Sequence, residues 1–122
     1  MTEYPYNTHT DIKYKHLELI DVPKMIDNCT EWWFNQTLTQ VNDSVVRLGI
    51  IEGQYHWHKH ETDDEFFFVV QGQLLIDLEG STITLNPLQG TTIPKGTMHR
   101  PRAPLKTVIL MVETKDILPT GN

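Results

Sequence analysis

Apolar positions along this chain come in short runs separated by turn-forming residues. SVVRLGIIEG (44–53), EFFFVVQG (65–72), QLLIDLEG (73–80), STITLNP (81–87) and KTVILMVET (106–114) are rich in β-branched and aromatic residues, which suits strands. TEWWFNQTLTQV (30–41) belongs with them, and HLELIDVP (16–23) reads as a further short strand ended by Pro23. Glu79-Gly80 joins 73–80 to 81–87 as a hairpin, while Asn42-Asp43 and ETDD (61–64) read as turns. TTIPKG (91–96) and the stretch after His99 add shorter β pieces. Turn signals recur about every eight to twelve residues, and no long stretch holds an apolar period of 3.6, so helix is expected to be scarce. The pattern predicts an all-β antiparallel sandwich or barrel. Phe66 to Val70 has no polar position, so both faces of that strand are expected to be covered, the second by a neighbouring subunit. Residues 1–15 are polar and are expected to form a flexible N-terminal segment, leaving 16–122 as one domain.

Charge and composition narrow the partners. Ten Lys and Arg stand against 16 Asp and Glu, a formal net charge of −6. That balance disfavours a nucleic acid or an anionic membrane surface as partner. The longest uninterrupted apolar run, Phe66 to Val70, falls far short of the ~20 residues that cross a bilayer. MTEYPYNTHTDIKYK at the start has no apolar core of a secretory signal, so a cytoplasmic protein is expected. Cys29 is the single cysteine, so no intrachain disulfide can form, and a buried structural thiol is expected there.

The chemistry gathers in GQYHWHKHETDDEFFFVVQG (53–72). On a strand, His56, His58 and His60 share one face, about 6–7 Å apart at the backbone, and side chains of that length can converge on one ion. Glu65 follows just past a turn and can return beside them, its charge offsetting a divalent cation. The same residues also suit a solvated acidic turn and ordinary surface histidines, which is how His9 and His16 are read. A second stretch, IPKGTMHRPRA (93–103), builds a tight turn from Pro94 and Gly96, with His99 three residues on.

Together these stretches resemble the cupin superfamily. His58-Lys59-His60, four residues, Glu65, six residues, Gly72 fits its first motif, and Pro94-Lys95-Gly96-Thr97-Met98-His99 fits the core of its second. The resemblance covers roughly residues 30–122 and is closest to small bacterial single-domain members. It implies a double-stranded β-helix (jelly-roll) barrel, with a core at about 44–114. It also implies that His58, His60, Glu65 and His99 hold one divalent metal ion: Fe, Mn, Ni or Zn. The motif's first glycine stands one residue closer to the histidines, as Gly53. Leu88 replaces the glycine expected before Pro94, and Ala103 replaces a terminal asparagine.

Four ligands leave one or two positions open on a five- or six-coordinate ion, the mark of a catalytic site. His56, outside the motif, is expected either to face the cavity and transfer protons or to pack plainly. Phe67 and Val69 share the parity of Glu65 and are expected to form an apolar substrate wall. Arg100 and Arg102 could bind a carboxylate or phosphate, or stand as solubilising charges. The expected function is a metal-dependent enzyme acting on a small molecule, with oxygenase-type chemistry placed first. Isomerase, epimerase or lyase chemistry, or non-catalytic binding of a metal or small ligand, are the alternatives. TEWWFNQ and FFFVV offer apolar surface for a homodimer.

Overall fold

The strand signals translate into sheet because alternate residues have alternate environments. In the computed structural model, which describes residues 5–121, the elements in chain order are β1 (Asn7–His9), α1 (Val22–Asn28), β2 (Trp33–Val41), β3 (Ser44–Gln54), β4 (Glu65–Gln71), β5 (Leu74–Leu78), β6 (Ser81–Leu85), β7 (Gly90–Ile93) and β8 (Arg100–Thr114). β4 shows the alternation: Glu65, Phe67 and Val69 are buried, while Phe66, Phe68 and Val70 are partly open on the other face. The full covering expected on both faces is therefore not what this chain provides. The outer rings instead stack on each other, with Phe66 and Phe68 centroids 6.3 Å apart.

The strands form an all-β jelly roll. The order along the main path is β1-β2-β3-β8-β4-β7, with β5 pairing both β6 and β8. β8 organises the molecule. One edge pairs antiparallel with β3, from Ser44↔Thr114 to Gln54↔Arg102. Its other edge pairs with β4 through residues 108–112 and with β5 through residues 100–102. The stretch after His99 is thus one long strand rather than several pieces. Gly53, at φ +102°, follows a register break in β3, and a Cβ there would meet the Trp32 ring at 2.9 Å. Phe67, Leu74, Ile76 and Ile109 belong to the core between the strands, and Leu38, Leu48, Ile50 and Val108 form a second cluster, against which Met25 and Ile26 of α1 pack.

Three expectations need correction. Of the segment before residue 16, the described part is tied down, while residues 1–4 lie outside the described residues: β1 pairs parallel to β2, and the Lys13 and Tyr14 amides donate to the carbonyls of Thr37 and Leu38 at 3.1 and 2.9 Å. Residues 16–21 form no strand. Pro23 starts a helix instead of ending a strand, because its fixed φ suits a first helical turn and Asp21 accepts from the Lys24 amide at 3.1 Å. Cys29 is only partly buried, and its Sγ–H points at the Glu31 carbonyl. Desolvation raises its pKa, which keeps it a thiol. Among the described residues, no helix is long and apolar enough to cross a membrane.

Candidate metal centre

The β3–β8 ladder runs on beyond its formal ends, and this extension builds the site. The Tyr55 amide donates to the Pro101 carbonyl at 3.0 Å, and His58 and His99 exchange both backbone hydrogen bonds, at 3.0 and 2.9 Å. His58 and His99 therefore stand opposite each other across an antiparallel bridge, with ring centroids 4.4 Å apart. The Pro94–Gly96 turn is fastened to the facing loop: the Gly96 amide donates to the His60 carbonyl at 2.7 Å and the Lys95 amide to Asp64 Oδ1 at 2.9 Å. Gly96 holds φ +77°, a conformation costly for any residue with a Cβ. Glu65 opens β4 on its inward face, paired with Ile93 of β7.

The result is a cluster of four buried side chains. His58, His60, Glu65 and His99 each offer one ligand atom, all within 4.8 Å of one another. His60 Nε2 and His99 Nε2 lie 3.4 and 3.3 Å from Glu65 Oε1. His99 Nδ1 is 2.9 Å from the Thr97 carbonyl, and His58 Nδ1 is 3.1 Å from the His56 carbonyl. A carbonyl only accepts, so both Nδ1 atoms carry the hydrogen and donate it. The Nε2 of a neutral His99 is then a bare lone pair facing a carboxylate oxygen. Two acceptors at that separation repel unless a cation lies between them. The donor set thus fits a divalent ion, with the carbonyls fixing tautomer and ring orientation.

Electrostatics point the same way. Burial, with His99 alongside, lowers the His58 pKa to about 4, so its imidazole stays neutral and able to ligate. Burial raises the pKa of Glu65, and hydrogen bonds from the adjoining His60 and His99 rings outweigh it and hold the carboxyl well below its usual range; where those rings are neutral at Nε2, a bound cation would take over that role. Behind Glu65 sits Glu113, whose pKa burial and the Glu65 charge push up to about 10, against the pull of Arg47. Arg47 and Glu113 form a buried pair at 2.6 Å, and Arg47 Nη2 also donates to the Ile117 carbonyl at 2.7 Å.

His58 and Glu65 form part of the wall of a narrow cavity with room for little more than a single water molecule. Trp33, Ile51, Tyr55, Phe67, Ile109 and Met111 make the walls largely apolar, with Asn35 and Gly49 on adjacent strands and Pro119 from the C-terminal segment. Phe67 is among the lining residues, its ring edge-on to His99.

The other expected site residues lie elsewhere. Val69 is fully buried in the core and does not line the cavity. Arg100 and Arg102 turn to Asp77 of β5, which accepts from both at 2.8 Å, and Arg100 also lies over the Trp57 ring. Arg102, then Arg100, hold the Asp77 carboxyl well below its usual range. His56 does not face the cavity. Its Nε2 donates to the Thr120 carbonyl at 2.7 Å, and its ring stacks on Tyr55. The alternation that would align it with His58 requires a strand, and β3 ends at Gln54. Sequence reasoning missed Asn35, Gly49, Arg47, Glu113 and Pro119. Arg47 and Glu113 did leave a signal: each is a charge set in or at the end of an apolar run, SVVRLGII and VILMVE.

Comparison with known proteins agrees with this geometry. A cupin-domain family model matches residues 45–113. The uncharacterised protein YdbB of Bacillus subtilis is 45% identical over 82 residues, which cover 66% of this chain and 73% of that one. The crystal structure of a cupin-2 domain protein from Shewanella frigidimarina superposes with a TM-score of 0.74 at 30% identity, covering 79% of this chain and 94% of the other. Protein NMB1881 from Neisseria meningitidis shares the fold, with a TM-score of 0.70 at 24% identity over 80% of this chain and 99% of its own. With both motifs in place and their four ligand residues gathered at one point, the chain belongs to the cupin-domain family.

Proposed function

We propose that this protein is a metal-dependent enzyme acting on a small molecule, with oxygenase-type chemistry at the centre of His58, His60, Glu65 and His99. One observation carries the reading: Nε2 of His99, its Nδ1 hydrogen committed to Thr97, faces Glu65 Oε1 at 3.3 Å inside a buried cluster of donors. A divalent ion held there would supply Lewis acidity or, as iron, dioxygen chemistry, with one or two coordination positions left for substrate. The chain's own groups do the rest. Glu65 supplies the negative charge, the carbonyls of His56 and Thr97 hold two rings in place, and Trp33, Tyr55 and Phe67 keep bulk water out.

The test is metal content. Protein purified without chelating columns should carry near-stoichiometric iron, manganese or nickel by plasma mass spectrometry, lost in the His58→Ala/His99→Ala double variant. Substrate-dependent oxygen uptake by the iron form would support the oxygenase reading. Failure to retain or take up any metal would sink the proposal. We further propose a homodimer, supported by the partly open outer face where Val46, Phe66 and Val112 lie side by side across three strands. Light scattering showing a monomer at micromolar concentration would overturn it.

A further inference from the structure

Three charged side chains stand in a row on the inward face of the sheet, one on each of three neighbouring strands. Arg47 of β3, Glu113 of β8 and Glu65 of β4 are 2%, 3% and 3% exposed. The register makes the row. Val45 pairs with Glu113, so Arg47, two residues on along β3, is a diagonal neighbour of Glu113 on the same face. Phe66 pairs with Val112, and one step on Glu65 stands opposite Glu113. Arg47 Nη1 donates to Glu113 Oε1 at 2.6 Å. Glu113 Oε2 is buried and receives no hydrogen bond, while the Glu113 carboxyl lies within hydrogen-bonding reach of the Glu65 carboxyl.

As a device for stability this row is poor. Two carboxyls face each other away from water and share one guanidinium, and buried pairs of this kind are often replaced by apolar side chains without loss. As a device for aiming a ligand it is apt. Glu65 Oε1 faces His60 and His99, and a group fixed behind the carboxyl settles how that carboxyl is turned. Arg47 fixes that group, and is itself fixed by donating from Nη2 to the Ile117 carbonyl at 2.7 Å. We infer that Glu113, anchored by Arg47, is a positioning residue of the metal centre: its carboxyl O–H donates to the Glu65 carboxylate and holds it ready for the ion. Such a bond to a charged acceptor is short and directional. The inference rests on the metal-centre reading and adds to it the residues that orient its one carboxylate ligand.

The experiment uses the whole chain and Co(II) as probe. Glu113→Gln keeps a donor toward Glu65 and an acceptor for Arg47. Removing Glu113 alone would strand the Arg47 guanidinium, so the apolar variants are the doubles Arg47→Met/Glu113→Leu and, in case the first packs badly, Arg47→Leu/Glu113→Met. Glu113→Gln should bind cobalt within about threefold of the wild type, with the same visible absorption bands. The doubles should melt at or above the wild-type temperature when metal-free, yet bind cobalt about 10–100-fold more weakly and with shifted bands. His56→Ala loosens the same C-terminal segment without touching Glu113 and serves as the control for the lost Ile117 contact. Doubles that match the wild type in affinity and bands would overturn the inference. Glu113→Gln as weak as the doubles would make Glu113 a charge on the ion rather than a positioning group, and overturn it too. Failure of both doubles to fold would assign the pair to the fold, with the same consequence. If the wild type itself binds no cobalt, the metal reading falls and takes the inference with it, an outcome distinct from the other three.

Discussion

Leu88 stands where the cupin motif has glycine, and its backbone shows why glycine is usual there: φ is +68°. A left-handed backbone costs an L-residue about 1–2 kcal/mol, while glycine loses about 0.5–1 kcal/mol more than alanine to chain entropy on folding. The Leu88 side chain is 75% exposed and contributes little packing to offset this, and the bond from its amide to the Val69 carbonyl survives substitution. Leu88→Gly is therefore expected to raise stability by about 0.5–1 kcal/mol, read from the urea midpoint at constant slope. A loss would mean that the exposed leucine contacts something in the native state. The four residues of the buried cluster were legible in the sequence because two histidines, a glutamate and a distant Pro-x-Gly turn with its histidine occur at joint spacings that chance seldom matches. Asn35 was not legible. What marks it is a buried Oδ1 with no hydrogen-bond partner, which only folded neighbours can reveal.

Whole elements were legible where alternation was long and turns were explicit. The hairpin of β5 and β6 closes at Glu79-Gly80 as its sequence demands, from Leu74↔Leu85 to Leu78↔Ser81. β1 and α1 were hidden because three parallel-paired residues and a seven-residue helix are too short to show a period. His56 was misplaced for a related reason: the rule of alternate faces was carried past the end of β3. Its backbone carbonyl holds the His58 ring, while its side chain pins the C-terminal segment, where Pro119 lines the cavity and Arg47 holds Ile117. These two roles separate experimentally, because any residue supplies the carbonyl. His56→Ala should speed amide hydrogen exchange across residues 117–121 while metal affinity changes less than about threefold. A collapse in affinity with unchanged exchange would make His56 a ligand and reverse this assignment.

At the scale of the molecule, the four residues of the candidate metal cluster come from the loop after β3, the start of β4 and the turn before β8. The fold must bring all three together, and does so with neutral imidazole at His58. That choice makes stability depend on pH. The His58 pKa is lowered to about 4 in the folded chain, against an ordinary 6.5, so between those values the unfolded chain binds the extra proton. The contribution of the neutral ring is fully present above pH 6.5 and is lost as pH falls from 6.5 toward 4. Its full size, from a shift of 2.5 units, is about 3 kcal/mol. Other buried groups, Glu113 above all, titrate too, so the comparison must isolate His58. For metal-free protein, the stability of wild type minus that of His58→Gln should shrink by about 3 kcal/mol between pH 7 and pH 4, by urea unfolding at each pH. A difference that stays constant would mean that His58 titrates alike in both states and that its desolvation is not what keeps it neutral. Metal at about 100 times its Kd should then add about 2.7 kcal/mol to the wild type at pH 7, reversed by chelator, because binding to the folded chain alone pulls the equilibrium toward it. The same addition should do far less for His58→Gln, since the ring held neutral by burial is also the one that gives its lone pair to the ion.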